Sequence, residues 1–358
     1  MSSIELLKTE IKTFMKDIFE LDSALHIPDT LKMMDLFEWD SLSHITLLSR
    51  IQEHYQITFS PEEMADVFSL PQIIQLIDQK LKPIPAALAD STQKPFDPQP
   101  IEALLKQHSF AEEDVLYVHS QAKKVFGLCG GTPLEMIQWL LGGECGQRTV
   151  IFPAFPFVSD TYVHYLDSHP RFHAEKTPVC TGLLPELARK LQGAERSLHP
   201  VLSECAIGPK ARWLTESAHL ASYPFSPNST YSKLVELDAS VFGIGVDINT
   251  NALIHMIDDE FKEYYPFNLY MKRPIEFEIE FPDGHLEKRE YWVYSPEIIR
   301  RIKPRKLRPF FEKYPQILTE FELENVWFYR LKIRPFFEKL RELAKQSLCS
   351  GRLPPWYQ

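Results

Sequence analysis

The sequence predicts two domains of different class: an all-α four-helix bundle over residues 1–82 and an α/β (α+β) domain over 101–358. Three observations carry this. Apolar residues repeat at helical spacing through the first part of the chain, residues 83–100 hold five prolines, and short β-rich runs alternate with helical segments after residue 101. A chain of 358 residues exceeds one small core. Its 44% hydrophobic and 25% charged residues are ordinary for a globular protein.

In the first domain, Ile4, Leu7, Ile11, Phe14 and Ile18 form one helical stripe, and Leu42, Ile45, Leu48, Ile51 and Tyr55 a second. A long loop, LDSALHIPDTLKMMDLFEWD, lies between them. Ser60-Pro61-Glu62-Glu63 predicts the capped start of a short third helix: serine suits the cap, proline the first turn, and Glu63 closes a capping box. Leu70, Ile73, Ile74, Ile77 and Leu81 make the fourth helix. In the linker, Pro83, Pro85, Pro95, Pro98 and Pro100 deny the backbone regular hydrogen bonding. Extended at ~3.1 Å per residue, this segment reaches up to ~55 Å.

In the second domain, residues 115–118, 149–152 and 241–246 read as buried strands, and 133–141 and 183–191 as helices. The alternation predicts a central sheet covered by helices. The segment IEFEIEFPDGHLEKREYWVY predicts a hairpin turning at Asp283-Gly284, and Phe336, Phe337, Leu340 and Leu343 predict a closing helix.

A net charge of −10 argues against a nucleic-acid partner, which ordinarily meets a basic excess. The five cysteines form no CxxC pair, so neither a zinc site nor a disulfide framework is suggested, and no metal is expected. The N-terminal residues mix charges among apolar positions unlike a signal peptide, and no stretch approaches the ~20 apolar residues of a membrane span. The expectation is a cytoplasmic protein without a membrane partner.

The segment Trp39-Asp40-Ser41-Leu42-Ser43-His44 joins the long loop to the second helix. A serine at a helix start is ordinarily an N-cap. Asp-Ser-Leu opening the second helix of a four-helix unit, however, resembles the acyl and peptidyl carrier family. The resemblance covers residues 1–82 and implies 4′-phosphopantetheine esterified to Ser41, with Asp40 and Leu42 on the face read by a phosphopantetheinyl transferase and an acyl-loading enzyme as a further partner. A phosphodiester at a helix N-terminus lies where the helix dipole favours an anion.

Four segments of the second domain, VHSQAKKVFGLCGGTPLEMIQWLLGG, TVIFPAF, GAERSLHPVLSECAIGP and YPFSPNSTYSKLVELDASVFGIGVDINTNALIHMID, together resemble the aminoglycoside 3-N-acetyltransferase family. That family moves an acetyl group from coenzyme A to a sugar amine. The resemblance implies a cradle for pantetheine or pyrophosphate from His119, Ser120, Gly130, Gly131 and Thr132, at a strand end and a capped helix start. Gln121 stands where the family has a second serine. Amide formation needs a base for the attacking amine, and His199, in the family's central motif, is the catalytic candidate implied. Glu186 is a candidate to orient its imidazole and Ser203 to donate to the oxyanion. Asn251 and His255 fall on family positions four apart and are candidates to bind the acceptor, with Asn249 and Ala252 departing from the family's aspartate and threonine.

Coenzyme A and a modified carrier end in the same pantetheine thioester. The combined reading is an N-acyltransferase whose donor is carried in cis on Ser41 and whose acceptor is a small-molecule amine, an amino sugar or related metabolite. Two alternatives stay open: an acetyl-coenzyme A-dependent enzyme with a vestigial carrier, and a non-catalytic scaffold presenting the carrier. A thioesterase would lack a GxSxG nucleophile motif.

Overall fold

A computed structural model of the chain describes residues 3–19, 21–22, 24–32, 35–36, 39, 41–55, 57, 59, 63, 67, 69–81, 96–102, 113–142, 147–157, 161–168, 171–248, 252–301 and 304–357. The chain divides into two compact units, Met1–Gln93 and Lys94–Gln358.

The first unit has described helices at Ser3–Ile18, Ser41–Tyr55 and Leu70–Leu81. Each contributes one apolar face to a common core: Leu7, Ile11 and Met15, then Leu47, Leu48 and Ile51, then Ile73, Ile74 and Ile77. Trp39 is buried just ahead of the second helix, and its Nε1 donates to His44 Nδ1 at 3.0 Å, bridging the turn at which the helix begins. The long loop is tied down by the amide of Leu70 donating to the Leu31 carbonyl at 2.9 Å. Asp40 and the cap Ser60-Pro61-Glu62 predicted for the short third helix lie outside the described residues, so three of the four predicted helices are described.

The second unit is α/β. Its seven-stranded mixed sheet runs β4 (Ala194–Arg196), β5 (Glu204–Ile207), β2 (Thr149–Pro153), β1 (Val115–Ser120), β6 (Ser240–Ile244), β10 (Val326–Lys332) and β9 (Leu318–Leu323). β1 pairs in parallel with both β2 and β6, while the flanking pairs are antiparallel. Both faces of the parallel centre are covered: Val115, Tyr117 and Val241 enter one core, and Leu116, Val118, Phe242 and Ile244 the other. That is why these strands read as continuous apolar runs rather than alternating ones. A second sheet holds β3 (Phe172–His173), β7 (Ile275–Glu280) and β8 (Leu286–Tyr291), and β7 and β8 form the predicted hairpin.

The helix Pro133–Leu140 has its predicted cap, which takes the form of a capping box with Thr132 and Glu135 bonded reciprocally. The helix Ile333–Cys349 buries Ile333, Phe336, Leu340, Ala344 and Leu348 on one face. Beyond it, Trp356 and Tyr357 fold back into the same core. Phe96–Pro100, in the range read as linker, packs on this unit: the Asp97 amide donates to the Cys129 carbonyl at 2.9 Å, and the Phe96 ring lies 6.0 Å from Trp139. Among the described residues no helix is long and apolar enough to cross a membrane.

Candidate active site

In open α/β sheets, ligands bind outside the carboxyl ends of parallel strands, where the strand order reverses. Here the chain passes from β1 to β2 on one side and returns to β6 on the other, so the reversal lies at β1. His119 and Ser120 end β1, and Gly245 follows β6. The Gln121 amide donates to the Ile244 carbonyl at 2.8 Å, and Lys124 Nζ to the Gly245 carbonyl at 3.2 Å, holding the two strand ends together.

A chain of ring contacts runs from this point to His255. The His119 ring meets Tyr117 edge-on at 4.8 Å, and the hydroxyls of Tyr117 and Tyr231 lie 3.2 Å apart. Tyr231 packs on Phe225 at 4.7 Å, and Phe225 stacks on His255 at 6.1 Å.

His255 lies in a 3-10 turn, Ala252–Ile257, that runs into the short helix Asp258–Phe261. In 3-10 geometry residues three apart eclipse, which brings Asp258 under the imidazole. Nδ1 of His255 is 2.9 Å from Asp258 Oδ2. Asp258 is fully buried and receives three tyrosine hydroxyls, Tyr265 on Oδ1 at 2.9 Å, and Tyr294 and Tyr357 on Oδ2 at 3.3 and 2.7 Å. A carboxylate so placed accepts from Nδ1–H in the tautomer that carries its lone pair on Nε2, and that nitrogen can then accept a proton. Next to it, Asp259 accepts from the Phe225 amide at 3.1 Å and from Tyr270, and burial pushes its carboxyl up to about 6.

The residues predicted to be catalytic stand differently. His199 is 3% exposed, under the Tyr291 ring at 4.7 Å. Its Nδ1 accepts the amides of Val201 and Leu202 at 3.2 and 2.9 Å, so the lone pair a base would use is spent on the turn that follows. Burial drives its pKa down to about 3. Glu186 bonds Arg189 through both oxygens and also meets Lys190 and the Val179 amide, so it anchors the segment 179–190 rather than orienting His199. The Ser203 hydroxyl has one proton, donated to the Ala154 carbonyl at 2.5 Å, and its oxygen accepts from Arg196, leaving nothing for an oxyanion. The buried Arg196 guanidinium is further held by the carbonyls of Ala154, Ala174 and Thr177.

The cradle also contracts. The Thr132 hydroxyl and amide both bond the Glu135 carboxylate at 2.8 Å, which sets a negative charge at the helix start where a phosphate was expected. Gly131, at φ +75°, is explained by close approach: a Cβ there would lie 2.7 Å from Phe96 Cα. Gly130 takes a similar conformation at φ +67°. His119, which is buried, and Ser120 remain at the end of β1. Asn249 and Asn251 lie outside the described residues.

Sequence reasoning missed Asp258 and its three tyrosines. A carboxylate three residues after His255 was the available signal; the tyrosines are 7, 36 and 99 residues from Asp258 and announce nothing locally. It also missed Glu204, a buried β5 carboxyl bonded to Ser197 at 3.3 Å, which burial pushes up to about 8 and so keeps protonated near neutral pH. Among the described residues no group of three or more histidine, cysteine or acidic side chains is arranged to hold a metal.

The family described as aminoglycoside 3-N-acetyltransferase matches residues 117–343. Aminoglycoside N(3)-acetyltransferase IV from Salmonella sp is 30% identical over 146 residues, covering 40% of this chain and 51% of its own length. The chain thus spans about half the length of the curated relatives it matches. Among solved structures, apo aminoglycoside acetyltransferase AAC(3)-IVa is similar at a TM-score of 0.54 and 20% identity, over 72% of this chain and 91% of its own. AAC-IIIb, described as binary with CoASH, is similar at 0.52 and 21%, over 68% and 94%.

Proposed function

The chain belongs to the aminoglycoside 3-N-acetyltransferase family, and from that premise we propose that its second unit is an amide-forming N-acyltransferase acting on an amino sugar or related amine. The observation that carries this reading is His255 bound through Nδ1 to a buried aspartate, with Nε2 left to take a proton. In the reaction, the amine nitrogen attacks the thioester carbonyl as Nε2 takes its proton. The tetrahedral intermediate then expels the thiolate, the C–S bond breaks as the amide forms, and the proton on Nε2 passes to the leaving sulfur. General-base help of this kind contributes ~10²–10⁴-fold. His119 and Ser120, at the reversal of strand order, are assigned to the thioester arm, and Asn251 with the face beside His255 to the acceptor.

The donor taken first is free acyl-coenzyme A, since a protein of similar fold is described as binary with CoASH, the thiol that such a donor leaves behind. A second donor is favoured by one feature of the first unit: the helix starting at Ser41 is bracketed by the Trp39–His44 bond. That arrangement suits a carrier whose 4′-phosphopantetheine on Ser41, attached by a phosphopantetheinyl transferase and charged by an acyl-loading enzyme, delivers the acyl group in cis. A tether of suitable length would supply it at roughly millimolar effective concentration.

The full chain and its Ser41→Ala variant, each with acetyl-coenzyme A and a panel of amino sugars, separate these donors. Amide product with matching thiol release from both proteins establishes the coenzyme A reaction. Product only from the wild type after loading by a phosphopantetheinyl transferase establishes the carrier. No amide by either route contradicts the assignment.

A further inference from the structure

We propose that Tyr357 is a positioning residue that tunes the His255–Asp258 pair, so that the segment Gly351–Tyr357 forms part of the active-site apparatus. The inference rests on the reading of His255 as the base. The Tyr357 hydroxyl donates to Asp258 Oδ2 at 2.7 Å, on the same oxygen that meets His255 Nδ1 at 2.9 Å. It is the shortest of the three tyrosine bonds to this carboxylate. Tyr357 lies beyond residues 117–343, the range matched by the family.

The segment is built to hold the hydroxyl still. Trp356 is fully buried and Tyr357 is 5% exposed. The Tyr357 amide donates to the Pro354 carbonyl at 2.9 Å, closing a tight turn, and its ring packs edge-on against Tyr265 at 5.2 Å and Phe267 at 5.6 Å. Two prolines, Pro354 and Pro355, stiffen the approach. Burial and the neighbouring Asp258 carboxylate hold the phenol far above its ordinary pKa, so it is a donor at any working pH.

The direction of its effect follows from sharing one oxygen. A hydroxyl bonded to a carboxylate spreads the negative charge and competes with the imidazole for it. Removing that hydroxyl concentrates the charge on His255 and favours the imidazolium, so the base is lost at a higher pH. The other groups acting on the pair are the Tyr265 and Tyr294 hydroxyls, Asp259 with Lys262 close to it, and Glu260, which Arg341 of the last helix neutralises at 2.8 Å. All stay in place when only the Tyr357 hydroxyl is removed.

The test is Tyr357→Phe in the full chain, with His255→Ala beside it. The acid limb of kcat/KM is expected to move up by about half a pH unit or more, with kcat at the optimum down about 3- to 10-fold and KM for the amine unchanged. The His255 ring titration, followed by nitrogen NMR, is expected to move the same way and needs no turnover. A Tyr357→Phe protein that folds and whose acid limb and ring titration both superimpose on the wild type overturns the proposal while leaving His255 as base. A variant that fails to fold also overturns it, because the hydroxyl is then a packing group. Full turnover by His255→Ala removes the reading beneath it, whereas an NMR shift in Tyr357→Phe still stands as a property of the pair.

Discussion

Two histidines fall on motifs of the same resemblance, and what separates them is the partner of one nitrogen. His199 gives its Nδ1 lone pair to two backbone amides, whereas His255 has Nδ1 on a carboxylate. An asparagine at 199 offers Oδ1 to the same two N–H groups, as asparagine does in Asx-turns. His199→Asn is therefore expected to keep turnover within about threefold, while His199→Ala, which strands both amides, loses about 1–3 kcal/mol of stability. Kinetics and thermal unfolding of the two variants check this, and an inactive but stable asparagine variant would return the base to His199. The pH dependence has a sign as well. Folded His199 has its pKa lowered to about 3, so the unfolded chain binds more protons between there and ~6.5. Its contribution is present above ~6.5 and is lost as pH falls toward 3, and the asparagine variant removes that share. None of this is legible in sequence, which names an imidazole but not the atoms its nitrogens face. His255 was found through its motif, yet as an acceptor ligand, because the donors that make Asp258 an effective partner come from three distant parts of the chain.

At the scale of elements, the local signals served where the physics is local. The Thr132–Glu135 capping box, the hairpin about Asp283-Gly284 and the stripe of the last helix all depend on residues within a turn or two of each other. The strands β4, β5, β9 and β10 were not legible, since their burial comes from lying on a sheet whose centre was laid down by other segments. The β9–β10 turn uses Glu324-Asn325, both at positive φ, a primed hairpin turn without the usual glycine. The glycine cradle shows the converse error, a local signal with a tertiary cause. Gly131 is needed because Phe96, 35 positions earlier, lies against its α-carbon. Gly131→Ala is expected to cost about 2–3 kcal/mol through overpacking and positive φ, without raising KM for acyl-coenzyme A in the folded fraction. Phe96→Ala does not rescue it, because Phe96 Cα itself stands 2.7 Å from the new methyl. Chemical denaturation of the single and double variants decides this, and a rise in KM at full stability would restore the cradle.

On the scale of the whole molecule, the chain joins a small helical unit to an α/β unit of the aminoglycoside 3-N-acetyltransferase family. The alternation of strands and helices made the second fold legible, and four ordered motifs made its family legible. The chemistry was less so, because a family resemblance carries positions and not protonation states. The account as a whole stands on one imidazole accepting the amine's proton. The measurement that reaches it most directly is kcat/KM of His255→Gln near neutral pH, with acetyl-coenzyme A and an amino sugar that the wild type acylates. The account predicts a fall of ~10²–10⁴-fold with thermal unfolding unchanged. A variant that retains wild-type turnover to within about threefold contradicts it, since no more than ~0.7 kcal/mol of transition-state stabilisation would then come from the residue asked to supply the base.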